Sequence, residues 1–148
     1  MRVLNFPKYP FRFKNSENKP YIFDIIRKKF IVLQAEEWVR QHVIWYLIQE
    51  KKYPKSLINV EKQLRVNGLL KRYDLIVYKK DGGILLLVEC KAPEVVISQN
   101  SFDQIARYNG SLHAEFLMLT NGLNHYFYTQ DLSEEKYHFI KTIPEYIP

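Results

Sequence analysis

Two dense apolar segments around Lys80-Asp81-Gly82-Gly83 constrain this chain more than any other feature. Asp74-Leu75-Ile76-Val77-Tyr78 precedes the turn, and Ile84-Leu85-Leu86-Leu87-Val88-Glu89-Cys90 follows it. An Asp-Gly pair between apolar runs is among the strongest short-range signals for a β-hairpin. With Asp81-Gly82 at the tip, Asp74 falls directly across from Glu89, and a four-residue loop from Lys80 to Gly83 gives the same register. Opposed residues of an antiparallel pair share a face, with Cβ atoms about 5 Å apart. Lys91, two residues past Glu89, points to that face by strand alternation, while the Cys90 side chain turns into the opposite, core face.

The expectation is therefore two carboxylates and an ammonium together at the open end of a largely apolar hairpin. Like charges directly opposed destabilise a sheet unless a cation lies between them. Mg²⁺ suits such a place, because it binds through one or two carboxylates and keeps waters for the rest of its octahedron, and Mn²⁺ is a substitute. The backbone carbonyl of Cys90 is a further hard oxygen ligand. Lys91 is placed to orient or deprotonate a water, or to neutralise charge developing on a phosphate. The plainer alternative is that Asp74 and Glu89 are strand-end charges, with Lys91 in a salt bridge to one of them.

The rest of the chain reads as strands, helix, strands, helix, strands. Residues 1–20 carry Pro7, Pro10 and Asn15-Ser16-Glu17-Asn18, so an extended arm ending in a turn is expected. Tyr21–Ile26 and Phe30–Leu33 read as short strands about the basic turn Arg27-Lys28-Lys29. From Ala35 to Lys51 the period becomes helical, with Val39, Val43, Tyr46 and Leu47 on one face. Glu36 and Glu37 lie in its first turn, where the helix dipole favours acids. Trp38 and Trp45 share a face suited to core packing or to a partner. Leu57–Val66 is a further strand, and Ser98–Tyr108 a second helix. Phe116–Thr120 and Leu123–Tyr128 flank the turn Asn121-Gly122, and Tyr137–Ile143 is a final strand. The sum is a single α/β domain over 1–148, a mixed sheet flanked by helices.

Composition supports a packed core, with 47% apolar residues and 15% aromatics. No apolar stretch reaches the ~20 residues of a membrane span, and residues 1–13 lack the apolar core of a signal peptide. One cysteine excludes an internal disulfide and suits a reducing cytoplasm. The four histidines have no zinc-ligand spacing. A net charge of +6 favours a polyanionic partner, and a homodimer is left open.

Several short motifs occur in order: Glu36-Glu37-Trp38-Val39-Arg40-Gln41, Lys71-Arg72-Tyr73-Asp74, Val88-Glu89-Cys90-Lys91-Ala92-Pro93, Phe102-Asp103-Gln104, Arg107-Tyr108-Asn109 and Leu119-Thr120-Asn121-Gly122. From about Lys29 to Tyr128 they resemble the N-terminal nuclease domain of type I restriction enzyme R subunits. That resemblance implies a PD-(D/E)xK restriction-endonuclease-like fold and Mg²⁺-dependent DNA cleavage, with endonuclease action the expected mode. Its catalytic set matches Asp74, Glu89 and Lys91. It also implies a helix glutamate near the metal, with Glu37 the better match and Glu36 the alternative. Gln104 and Tyr108 match a QxxxY element that contacts phosphates or supports Lys91. Tyr73 stands where the motif has proline. No GxxxxGK[ST] phosphate loop is present, so any ATP-driven motor, or other restriction-modification subunit, is expected to be a separate partner. The competing function is a catalytically silent nucleic-acid-binding or docking module on the same fold.

Overall fold

The turn expected at Asp81-Gly82 forms, and its register is the one the sequence demands. In the computed structural model, which describes residues 1–131, 133 and 136–148, strands β5 (Leu69–Tyr78) and β6 (Ile84–Cys90) pair antiparallel. Leu75 faces Val88, Ile76 faces Leu87 and Val77 faces Leu86, with a bulge between Val77 and Tyr78. The strand before Tyr78 is five residues longer than its dense apolar part, because it extends back to a second hairpin. Strand β4 (Ile58–Val66) runs into β5 through Asn67-Gly68, both with positive φ of 51° and 79°. Asn-Gly is the favoured pair for a two-residue turn of this kind, and its signal went unused in the sequence reading.

These strands lie at one end of a six-stranded sheet ordered β4-β5-β6-β7-β8-β9. Strand β7 (Phe116–Thr120) pairs parallel with β6, which makes the sheet mixed. Strands β8 (His125–Asp131) and β9 (Lys136–Ile140) complete it as an antiparallel meander. The turn before β8 runs to Asn124, with the Asn121 side chain accepting from the Leu123 and Asn124 amides.

Helices cover both faces. Helix α1 (Ala35–Gln49) buries Val39, Val43, Ile44 and Leu47 completely against Leu75, Val77, Leu86 and Val88. Helix α2 (Gln99–Leu112) crosses over between β6 and β7 and packs Ile105 on Ile76, Leu87 and Leu117. Its start is fixed by Ser98 and Ser101 in a reciprocal cap. Its end is fixed by His113 in the left-handed region and by Asn109, buried and bonded to both backbone groups of Ala114. Parallel neighbours need a crossover of a dozen or more residues, usually a helix, and α2 supplies it between Cys90 and Phe116.

The N-terminal region is more ordered than a simple arm. Strands β1 (Phe13–Ser16), β2 (Lys19–Asp24) and β3 (Lys29–Val32) form a separate three-stranded sheet turning on Glu17-Asn18. Residues 1–12 remain extended and drape over α1. Leu4 is buried, the Trp38 indole donates to the Arg2 carbonyl, and Phe11 packs on Trp38 and His42. Tyr9 stacks on Trp45 and donates to Glu50. The two tryptophans thus serve packing within the chain. No helix among the described residues is long and apolar enough to cross a membrane.

Candidate acidic centre at the mouth of the central hairpin

At the open end of the β5–β6 hairpin the regular ladder stops, and side chains take over its hydrogen bonds. The Cys90 amide donates to Asp74 Oδ2 at 2.8 Å. Asp74 Oδ1 accepts from Arg40 Nη2 of α1 at 2.7 Å. Strand alternation does not run through Asp74: Tyr73 is buried in the α2-side cluster, Leu75 in the α1-side cluster. At the facing position of β4, Glu61 has a positive φ of 52°, a backbone state costly for a side-chain-bearing residue. This local break sends the Asp74 carboxylate toward α1.

Glu89 is reached from the other side. Its neighbours Val88 and Cys90 both belong to the α1-side cluster, and Glu89 acts electrostatically on the Tyr73 hydroxyl. The simple expectation that Asp74 and Glu89 project from one flat face is corrected here, because the strand twists between Tyr73 and Leu75. Both residues border one narrow cleft with Tyr73, Ile105, Tyr108 and Lys71, but the Asp74 carboxylate turns to Arg40 on the α1 side, and Glu89 to Lys91 and Tyr73 on the other. Lys91 Nζ bonds Glu89 Oε1 at 3.2 Å, so the salt bridge weighed as the plain alternative is present. Lys91 also acts on Glu36, which connects the two halves of the centre.

The resemblance favours Glu37 with Glu36 the alternative; the helix glutamate that the structure sets beside Asp74 is Glu36. Burial, then the Asp74 charge and a hydrogen bond to Asp74, push the Glu36 carboxyl up. Arg40 Nη2 lies between the two carboxyls, 3.4 Å from Glu36 Oε1 and 2.7 Å from Asp74 Oδ1. Glu37 is instead buried and spent on cations. Arg40 Nη1 lies 2.7 Å away, Arg27 Nη2 3.0 Å, and Gln41 donates at 3.0 Å. Arg27 also binds Asp24 and Glu61, and Arg40 also reaches Glu61 and Glu36. Burial works against the Arg40 charge, but Glu37 and Asp74 outweigh it and hold its pKa above the ordinary value. This buried network, which no short motif announces, escaped the sequence reading. Its one visible signal was Glu36-Glu37 spaced three and four before Arg40.

Gln104 is half-buried on α2 and makes no hydrogen bond among the described residues, whereas Ile105 and Tyr108 line the cleft. Tyr108 meets Tyr73 edge-on and carries the Lys71 ammonium 4.6 Å above its ring. Cys90 is fully buried, and burial raises its thiol well above the ordinary range, so it is no nucleophile.

The residues present suit a hard divalent cation in one specific way. Among the described residues no three acidic, histidine or cysteine side chains are drawn into a single metal-holding group. Acids meet instead as the Glu36–Asp74 pair, and a pair is what Mg²⁺ needs from a protein. Beside Glu89 the buried Tyr73 hydroxyl has no hydrogen-bond partner among the described residues, and burial, Tyr108 and Glu89 push it up to about 12. Two neighbouring carboxyls sharing one guanidinium are groups that a hydrated divalent cation would suit.

A mixed sheet sandwiched between two helices, with its polar centre where the central hairpin opens, defines a restriction-endonuclease-like α/β domain. Residues 35–144 match the family model described as type I restriction enzyme R protein N terminus. The chain belongs to that family. Among solved structures it is similar to a fragment described as an HsdR subunit of a type I restriction enzyme from Vibrio vulnificus YJ016, with a TM-score of 0.53 and 21% identity. The likeness covers 76% of this chain and 24% of that one, so it speaks for the shared fold. A search of curated proteins finds no match.

Proposed function

We propose that this domain is a Mg²⁺-dependent DNA nuclease, acting as the cleavage module of a restriction system. The observation that carries the reading is the Glu36–Asp74 carboxyl pair, gathered on Arg40 at the mouth of the hairpin, with Lys91 acting on Glu36 and bonded to Glu89. Asp74 and Glu36 would hold the ion on one side, with Glu89 and the Cys90 carbonyl as the remaining oxygen donors. When bound, Mg²⁺ supplies Lewis acidity toward a phosphodiester and its attacking water. Arg40 fixes the Asp74 carboxylate through Nη2, while the Cys90 amide fixes its second oxygen. Lys91 Nζ, released from Glu89, would orient the attacking water as an ammonium or, once deprotonated, take its proton, and then face the charge that grows on the phosphoryl oxygens. Membership of the R-subunit family supports DNA as the substrate, and other subunits of such a system are the natural partners. A cytoplasmic setting accords with the single reduced thiol.

The test is nicking of plasmid DNA with Mg²⁺ or Mn²⁺, with EDTA as the blank. Lys91→Ala should leave metal binding intact and lower cleavage about 100-fold or more, the scale of a lost proton-transfer or charge-stabilising group. Asp74→Ala should lose metal and cleavage together. Cleavage by Lys91→Ala at the wild-type rate would sink the assigned role. Absence of cutting under any metal, alone and with restriction subunits supplied, would favour the silent module.

A further inference from the structure

The outer half of the β4–β5 hairpin is a two-stranded ribbon that leads directly to Asp74. One side of it is packed: Val66 and Tyr73 are buried, and Leu64 rests against the same α2-side cluster. The other side is bare. Gln63 faces Arg72 and Arg65 faces Leu70 across the ladder, and all four are exposed. From Lys62 to Tyr73 there are four cations, Lys62, Arg65, Lys71 and Arg72, and no acid. None of the four has an ion-pair partner among the described residues, in contrast to Arg27 and Arg40. Leu70 is 60% exposed between them, an apolar side chain on a positive face.

We infer that this ribbon is the element that grips duplex DNA on one side of the cleavage centre, with Arg65 and Arg72 on phosphates and Leu70 against the groove wall. The inference rests on the nuclease reading for its choice of DNA and deepens it. Arg72 lies two residues from Asp74 and Leu70 four, so at the rise of a strand they stand about 7 and 13 Å along β5 from the carboxylate. At 3.4 Å per base pair the ribbon covers roughly four base pairs beyond the cut. A two-stranded ribbon fits a major groove, and unpaired cations on its outer face are what a phosphate backbone requires. Lys71, held over the Tyr108 ring at the cleft, joins the ribbon to the acidic centre.

The experiment measures binding of a short fluorescein-labelled duplex by anisotropy in EDTA, from low to moderate NaCl, so that no cleavage is needed. The double variant R65A/R72A should bind about tenfold more weakly, and its slope of log K against log salt should be shallower by about 2, one unit per lost phosphate contact. K136A/K141A removes two exposed cations at the far edge of the sheet and should leave the slope unchanged. Thermal melting of each variant checks folding, since exposed substitutions of this kind change stability little. The inference is overturned if R65A/R72A binds like the wild type, if the far-edge pair alters the slope equally, or if the folded wild type does not bind duplex. If binding depends on the ribbon but nothing is cut, the nuclease reading fails and the ribbon stands. If cutting occurs and R65A/R72A binds normally, the reverse holds.

Discussion

Replacing Arg40 by methionine keeps much of the apolar stem and deletes only the guanidinium, which touches four carboxylates. Two of these contacts are short, to buried Glu37 and to half-buried Asp74 at 2.7 Å each. The contacts to Glu61 and Glu36 are longer and involve partly exposed acids, so they contribute little. Removing one partner of a buried pair costs about 3–5 kcal/mol, because the other charge stays buried. Here Glu37 keeps Arg27 and Gln41, and Asp74 keeps the Cys90 amide. The expected loss is therefore at the lower end, about 3 kcal/mol. For a domain of this size that corresponds to a fall in Tm of about 6–12 °C. Thermal and urea denaturation at neutral pH measure it. Divalent metal gives the discriminating reading: Mg²⁺ at a hundred times the wild-type Kd should stabilise the wild type by about 2.7 kcal/mol, and the same concentration should stabilise Arg40→Met by more. A loss below about 1 kcal/mol, within the range of an exposed pair, would refute the view that Arg40 neutralises the centre.

Two further outcomes concern the N-terminal arm. Gly122 has φ of +87°, and a Cβ there would lie 2.9 Å from a Leu4 methyl and 3.1 Å from Val39 Cγ2. Gly122→Ala should therefore cost about 1–3 kcal/mol and loosen residues 1–12, read as faster proteolysis of the arm. Burial pushes the pKa of both His42 and His125 down. His42 packs on Phe6 and Phe11, and His125 holds the Asn5 carbonyl. A depressed folded-state pKa stabilises above the unfolded value of 6.5 and is lost as pH falls through the folded value. Tryptophan fluorescence of Trp38 and Trp45 should report release of the arm below pH 6.5; an acid titration without such a step counts against this account.

The hairpin at Asp81-Gly82 was legible because register, turn chemistry and apolar density all agree there, and the observed pairing of Leu75 with Val88 follows it. Helix α1 was legible from its buried stripe. What alternation could not supply was the twist at Asp74. It depends on Glu61, thirteen residues away in sequence, adopting a positive φ across the ladder. Likewise the choice between Glu36 and Glu37 turns on which one Arg27 and Arg40 claim, and Arg27 arrives from a different sheet. The Asn67-Gly68 turn was readable but hidden behind the search for apolar runs, since its flanks are Arg65 and Leu69-Leu70-Lys71-Arg72.

The parallel pairing of β6 with β7 has a consequence for the order in which the chain assembles. Strands β4, β5 and β6 are joined by tight turns, so their contacts are local and cheap to close. The β6–β7 contact waits for the whole α2 crossover to be placed. Carboxylates at the edge of such a meander repel one another only weakly while water surrounds them. Helix α1 packs over the Asp74 carboxylate, and that same helix carries Arg40. One element both covers the acid and brings its cation.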